Sequence, residues 1–214
     1  MANSLWIQAV FLMAVIFREF ASGCVVTIQN NCGYSVTACA QSGKQNIAQY
    51  NLGSGGSQGI DLGSACNWQA AAVYASVTGQ CAVSGIPNAS TDRNLANPAE
   101  FTIPGPNGLD TYDISNVNAY TIGLAIRPAN LGCKSISCAI ADIRAFCQPK
   151  NVLQTQPSGA LSCVNTDGPG GLVPTAGTMQ FKSACPDAYS YNHDDATSTF
   201  TCVTGTDYEV VFCP

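Results

Sequence analysis

An all-β sandwich carrying a disulfide-stapled loop excursion is the fold this sequence predicts, and three observations predict it. Short runs rich in Val, Ile, Thr and Tyr recur between Gly, Asn and Pro clusters along most of the 214 residues, whereas helical periodicity is weak. Twelve cysteines, 20 glycines and 11 prolines mark a loop-rich chain built for an oxidising compartment. Charged residues make up only 10% of the chain against roughly 25% in an average soluble domain. That composition excludes a coiled coil, a disordered acidic chain and a basic nucleic-acid binder. With eight basic residues in no cluster and a net charge of −5, nucleic acid is not an expected partner, while a neutral polymer such as a glucan stays open.

Taken in order, residues 1–23 read as a signal peptide. Leu5 to Phe17 is apolar apart from Gln8, a run of 13 residues that as a helix spans roughly 20 Å, short of a ~30 Å hydrocarbon core. Ala21, Ser22 and Gly23 supply small residues for cleavage before Cys24. No Lys or Arg precedes the run, and Arg18-Glu19 follows it, both departures from a typical signal. All twelve cysteines lie in 24–214, so the mature protein is expected to be secreted, without a membrane span.

Strands are expected at Cys24–Gln29, Tyr34–Ala40, Ala71–Val77, Glu100–Ile103, Tyr120–Arg127 and Tyr208–Phe212. The one helix candidate is Cys138–Phe146, with Ala139, Ile140, Ile143 and Phe146 at i, i+1, i+4 and i+7. Residues 148–178, punctuated by Pro149, Pro157, Pro169 and Pro174, read as an extended stapled loop. Between the first two strands, Asn30-Asn31-Cys32-Gly33 is a strong turn sequence. A two-residue loop at Asn31-Cys32 sets Cys24 opposite Cys39, close enough to bridge across a hairpin.

Three tempting motifs carry little. Gly55-Gly56-Ser57-Gln58-Gly59 matches G-x-S-x-G but lacks the strand-to-helix elbow a nucleophile needs. His193, the only histidine, sits in a polar turn, and Cys133 and Cys138 read as disulfide partners, so no metal or other cofactor is expected. Asn88-Ala89-Ser90 is an N-glycosylation sequon.

The last 34 residues are the most distinctive. Phe181-Lys-Ser-Ala-Cys-Pro-Asp-Ala-Tyr-Ser-Tyr191, then Asp194 to Cys202, then Tyr208-Glu-Val-Val-Phe-Cys-Pro214 closely resemble the thaumatin-like proteins, plant-type defence proteins of pathogenesis-related group 5. Ile28 to Val36, Pro98 to Ile103 and Asp110 to Ser115 support the match, which runs from about residue 24 to 214.

The resemblance implies a flattened β-sandwich (24–132 and 179–214), a disulfide-rich loop region (133–178) and at most one short helix. Twelve cysteines fall short of the family's usual sixteen, which marks a shortened form. By position the resemblance pairs Cys32 with Cys213, Cys133 with Cys202, Cys138 with Cys185 and Cys147 with Cys163. With Cys24–Cys39 taken from hairpin geometry, Cys66–Cys81 remains by elimination.

The family's cleft is acidic, lined by an Arg, a Glu and three Asp. Carried over, the Glu is Glu100 and the first Asp is Asp113; the second falls on Asn118, and the third lies in Asp194-Asp195, with Asp194 the better fit. The Arg aligns near Ser76, so the cleft is expected to lack it. Tyr112, Tyr120, Tyr189 and Tyr191 are candidates for stacking on sugar rings, with core packing as the plainer role. The function implied is a secreted, monomeric antifungal protein that binds β-1,3-glucan or another fungal wall polysaccharide. One alternative is a weak endo-β-1,3-glucanase in which Glu100 is the acid and Asp113 the base or stabiliser. The other is a membrane-permeabilising or enzyme-inhibiting protein.

Overall fold

A computed structural model describes residues 24–43, 45–81, 89–147 and 150–214; the predicted signal peptide and the Asn88 sequon lie outside the described residues. Two sheets dominate. The first has the order β10-β9-β14-β1-β4, built from β1 (Val25–Asn30), β4 (Ser57–Asp61), β9 (Leu124–Pro128), β10 (Ile136–Cys138) and β14 (Tyr208–Phe212). The second has the order β13-β7-β6-β5-β2-β3, from β2 (Val36–Ser42), β3 (Gln45–Leu52), β5 (Trp68–Ala75), β6 (Ala99–Ile103), β7 (Leu109–Ile114) and β13 (Phe200–Val203). A three-stranded sheet joins β8 (Ala119–Tyr120), β11 (Val152–Thr155) and β12 (Leu161–Val164). No helix among the described residues is long and apolar enough to cross a membrane.

Period-two alternation explains the layering. In β1, Val26, Ile28 and Asn30 are buried while the residues between them are half-buried; in β6, Ala99, Phe101 and Ile103 point inward and Glu100 and Thr102 do not. Phe101 and Tyr112 are opposed in the β6–β7 ladder, so both enter the core. There Phe101 stacks on Trp68 at 5.8 Å and meets the edge of Tyr208 from the other sheet at 5.4 Å. The Tyr208 hydroxyl donates to Asp110 Oδ2 at 2.9 Å, and Thr204 donates to Oδ1 at 2.8 Å, so this buried carboxylate ties the two sheets together.

The all-β sandwich is the observed fold, and Cys32–Cys213, Cys133–Cys202, Cys138–Cys185 and Cys147–Cys163 are formed. The two remaining pairings are corrected. Cys24 bonds Cys66 and Cys39 bonds Cys81, in place of Cys24–Cys39 and Cys66–Cys81. The reason is topological: β1 and β2 are not a hairpin. β1 pairs with β14 in parallel and with β4, whereas β2 lies in the other sheet between β3 and β5. The Asn30–Gly33 turn carries the chain between layers. Asn30 holds it, accepting from the Cys32 amide and donating to the carbonyls of Tyr34, Leu52 and Gly53.

Helical content also exceeds one short helix: α1 (Ala89–Asn94), α2 (Ile143–Phe146), α3 (Ala176–Ala184) and α4 (Asp195–Ser198) all form. Of the candidate Cys138–Phe146 only its last turn is helical, started by the Asp142 carboxylate, because Ile136–Cys138 extends the first sheet as β10. The supposed loop 148–178 contains the β11–β12 hairpin, turned through Gln156–Ala160 with Gly159 at φ +84°, and the start of α3. Tyr120–Arg127 splits into β8 and β9 in different sheets.

Candidate functional site

Glu100 on β6 and Asp113 on β7 are direct cross-strand partners, so their side chains stand together on the outer face of the six-stranded sheet. Two hollows of about 530 and 360 Å³ meet at this pair. The larger runs along the sheet past Thr102 and Thr111; the smaller is walled by Asn118, Tyr189, Asn192 and Asp195. That far wall is docked on the end of β7: Tyr189 donates its amide to the Ile114 carbonyl at 2.8 Å, and the Asn116 amide donates to the Tyr189 carbonyl at 2.8 Å. Beneath it, the buried Asn165 side chain donates to the carbonyls of Asn116 and Ser190. The Tyr189 hydroxyl donates to Asp195 Oδ1 at 2.7 Å, which aims that carboxylate.

The cleft does contain an arginine. Arg93, on α1, ion-pairs with Glu100. Its helix is pinned by the neighbouring Asp92, whose Oδ1 accepts the amides of Val77 at 2.8 Å and Thr78 at 2.9 Å. Ser76, at the position expected for the arginine, donates instead to the Gln80 carbonyl outside the cleft. Nothing in the sequence pattern pointed to Arg93, because its approach to Glu100 depends on how α1 packs across the sheet.

Asp113 is the carboxyl with the strongest electrostatic pressure. Burial first, then the nearby Glu100 and Asp195 carboxylates, push it well above the ordinary 3.8, with Arg93 acting in the opposite direction. Its Oδ1 is buried and accepts no hydrogen bond from the described residues. Asp113 is thus a carboxyl whose surroundings press it to keep its proton. A folded-state value above the unfolded one means that ionising Asp113 costs stability as pH rises through that value. Asp113→Asn should accordingly raise the thermal midpoint at pH 7, with the gain shrinking as pH falls toward 3.8. Melting curves at pH 3.5 and 7 check this; an equal effect at both would contradict it.

Of the other expected cleft residues, Asn118, Asp195 and Tyr189 line the smaller hollow. Asp194 does not. It is only 5% exposed and forms a buried ion pair with Lys182 at 3.0 Å. Burial opposes its ionisation, but hydrogen bonds from Lys182, Thr197 and the Ser190 amide outweigh that and hold its carboxyl below the ordinary range. Tyr112 and Tyr120 are core residues, the first packed between Tyr208 and Phe200 and the second against Phe146. Tyr191 lies over Gly171, away from the cleft lining; a β-carbon on that glycine would come within 3.1 Å of its own.

A disulfide-stapled β-sandwich with an acidic cleft between the sheet face and a loop wall is thus the class of protein defined here. The chain belongs to the thaumatin family, whose model matches residues 30–214. It is 32% identical to pathogenesis-related protein 5 of Arabidopsis thaliana over 249 residues, covering 100% of both chains. It is 34% identical to a thaumatin-like protein of Actinidia deliciosa over 233 residues, covering 99% of this chain and 98% of that one. Among solved structures, the thaumatin-like xylanase inhibitor TLXI superposes with a TM-score of 0.46 at 15% identity, covering 88% of this chain and 99% of that one.

Proposed function

We propose that this is a secreted defence-type protein that binds β-1,3-glucan or a related fungal wall polysaccharide in the acidic cleft, as a monomer and without a cofactor, and thereby restrains fungal growth. The observation that carries the reading is the cleft's two-sided polar lining: Glu100 and Asp113 on the sheet, Asp195, Tyr189, Asn118 and Asn192 facing them. Carboxylates accept, and amides both donate and accept, so the two walls match the hydroxyl groups of a sugar chain. Six disulfides suit an extracellular setting.

Binding is favoured over hydrolysis because Glu100 and Asp113 stand side by side on one sheet face, whereas a glycosidase pair flanks the scissile bond. Glu100 is moreover engaged by Arg93. The raised Asp113 favours one second reading, a weak endo-β-1,3-glucanase in which Asp113 is the acid and Asp195, across the cleft, the opposing carboxylate.

Depletion of the protein by insoluble β-1,3-glucan, with reducing-end release measured in parallel, tests both. The wild type should be depleted, and Asp195→Asn should bind about 10-fold more weakly, as loss of a charge-assisted hydrogen bond implies. No depletion of the wild type would sink the binding reading. Release abolished by Asp113→Asn would make the protein an enzyme.

A further inference from the structure

Helix α1 lines the acidic cleft and also braces a turn at the rim of a second hollow. While Arg93 reaches Glu100, Asp92 holds the turn beginning at Ser76, and Ser76 lines a groove of about 500 Å³. This groove runs between the ends of β2 and β5 and the β11–β12 turn, and among the described residues it shares none of its lining with the acidic cleft. Its chemistry is the opposite of the cleft's: no charged side chain among the described residues lines it. Val36, Ile122 and Leu161 give an apolar floor, and Tyr34, 59% exposed, stands at its edge.

Three of its hydroxyls are fixed in place. Ser76 donates to the Gln80 carbonyl at 2.9 Å, Thr121 to Leu95 at 2.6 Å and Ser158 to Val77 at 2.6 Å. Each hydroxyl has one proton and two lone pairs. Ser76 and Ser158 also accept the Thr78 and Ala160 amides, both at 3.3 Å, and Thr121 meets Ser162 Oγ at 3.1 Å. Each is thus held in one orientation with a single lone pair left to accept from a ligand. Gly79 and Gly159, at φ +82° and +84° with open space where a β-carbon would sit, let a ligand approach the backbone closely.

Preoriented acceptors, an apolar floor, an exposed aromatic edge and no net charge together match one ligand chemistry. A neutral sugar presents hydroxyl donors around its rim and apolar C–H faces to an aromatic ring. We propose that this groove is a second carbohydrate site, for a short uncharged oligosaccharide, independent of the acidic cleft. A glucan chain held at both places would be gripped bivalently.

Amide chemical-shift mapping with laminaritriose, cellotriose and chitotriose tests the proposal. At least one of the three should shift the amides of Ser35, Thr37, Gly79 and Gly159. Tyr34→Ala, an exposed position, should weaken that response about 10-fold, and Ala160→Trp, which fills the groove, should abolish it. Asp195→Asn should leave it intact, which separates this site from the cleft. Shifts confined to Ser115, Asn118 and Asn192 would overturn the second site while leaving the cleft reading standing. Silence at the groove with all three sugars, or groove shifts indifferent to Tyr34→Ala, would also overturn it.

Discussion

Replacing Cys32 and Cys213 together by serine should cost about 5 kcal/mol and lower the thermal midpoint by roughly 10–20 °C. The bond closes a loop across a sequence separation of 181, the largest of the six, and in the chain-entropy model a longer loop restrains the unfolded chain more. It also locks a non-local pairing, since β1 and β14 run parallel from opposite ends of the described chain, and the Asn31 amide continues the ladder onto the Phe212 carbonyl at 3.0 Å. The matched control is Cys147–Cys163, with a separation of 16, whose double serine variant should cost only about 3 kcal/mol. Denaturant unfolding of both variants would give the ranking. Equal losses would mean that local packing around the sulfurs, and not loop closure, sets their contribution.

The same pair of strands shows where sequence reading stops. Asn30-Asn31-Cys32-Gly33 encodes a turn, and a turn forms, but a turn sequence does not dictate that the strands on either side of it pair with each other. β1 finds its partners at residues 57–61 and 208–212, so Cys24 and Cys39 end in different sheets. The carboxylates on strands came from the family resemblance, and the alternation of Ala99-Glu100-Phe101-Thr102-Ile103 is consistent with it, since it sets Glu100 on the face opposite Phe101. Carboxylates in the 194–195 turn have no such support: two adjacent aspartates look alike until burial gives one to Lys182 and the other to the cleft. Helix α3 was hidden for a different reason. Its buried side is made of Gly177, Thr178 and Phe181, a single large apolar residue, and its start is a Thr175–Thr178 capping box without the usual acidic partner.

Lys182 is where stability and the cleft meet, and Lys182→Met should be among the most damaging single substitutions. The ammonium on α3 donates to the Ala188 carbonyl at 3.1 Å and to Ser198 Oγ at 2.8 Å, and it pairs with Asp194 Oδ2 at 3.0 Å. Both members are largely buried, so methionine keeps the length of the side chain but leaves a buried carboxylate without its cation, a loss of about 3–5 kcal/mol. Asp194 has its folded-state value below the unfolded one, so its contribution is present above the unfolded value and is lost as pH falls through the folded value. The gap between wild type and variant should therefore be widest near pH 7 and narrow in acid, where protonation relieves the stranded charge. Adding Asp194→Asn should restore part of the loss, since neither partner is then a lone ion. Residues 188–198, which this pair braces, carry Tyr189 and Asp195, so the proposed glucan binding should fall in the single variant even at temperatures where it stays folded. Equal midpoints for wild type and Lys182→Met at pH 7 would show that the pair contributes nothing net. Undiminished binding by a destabilised variant would show that the wall stands without it.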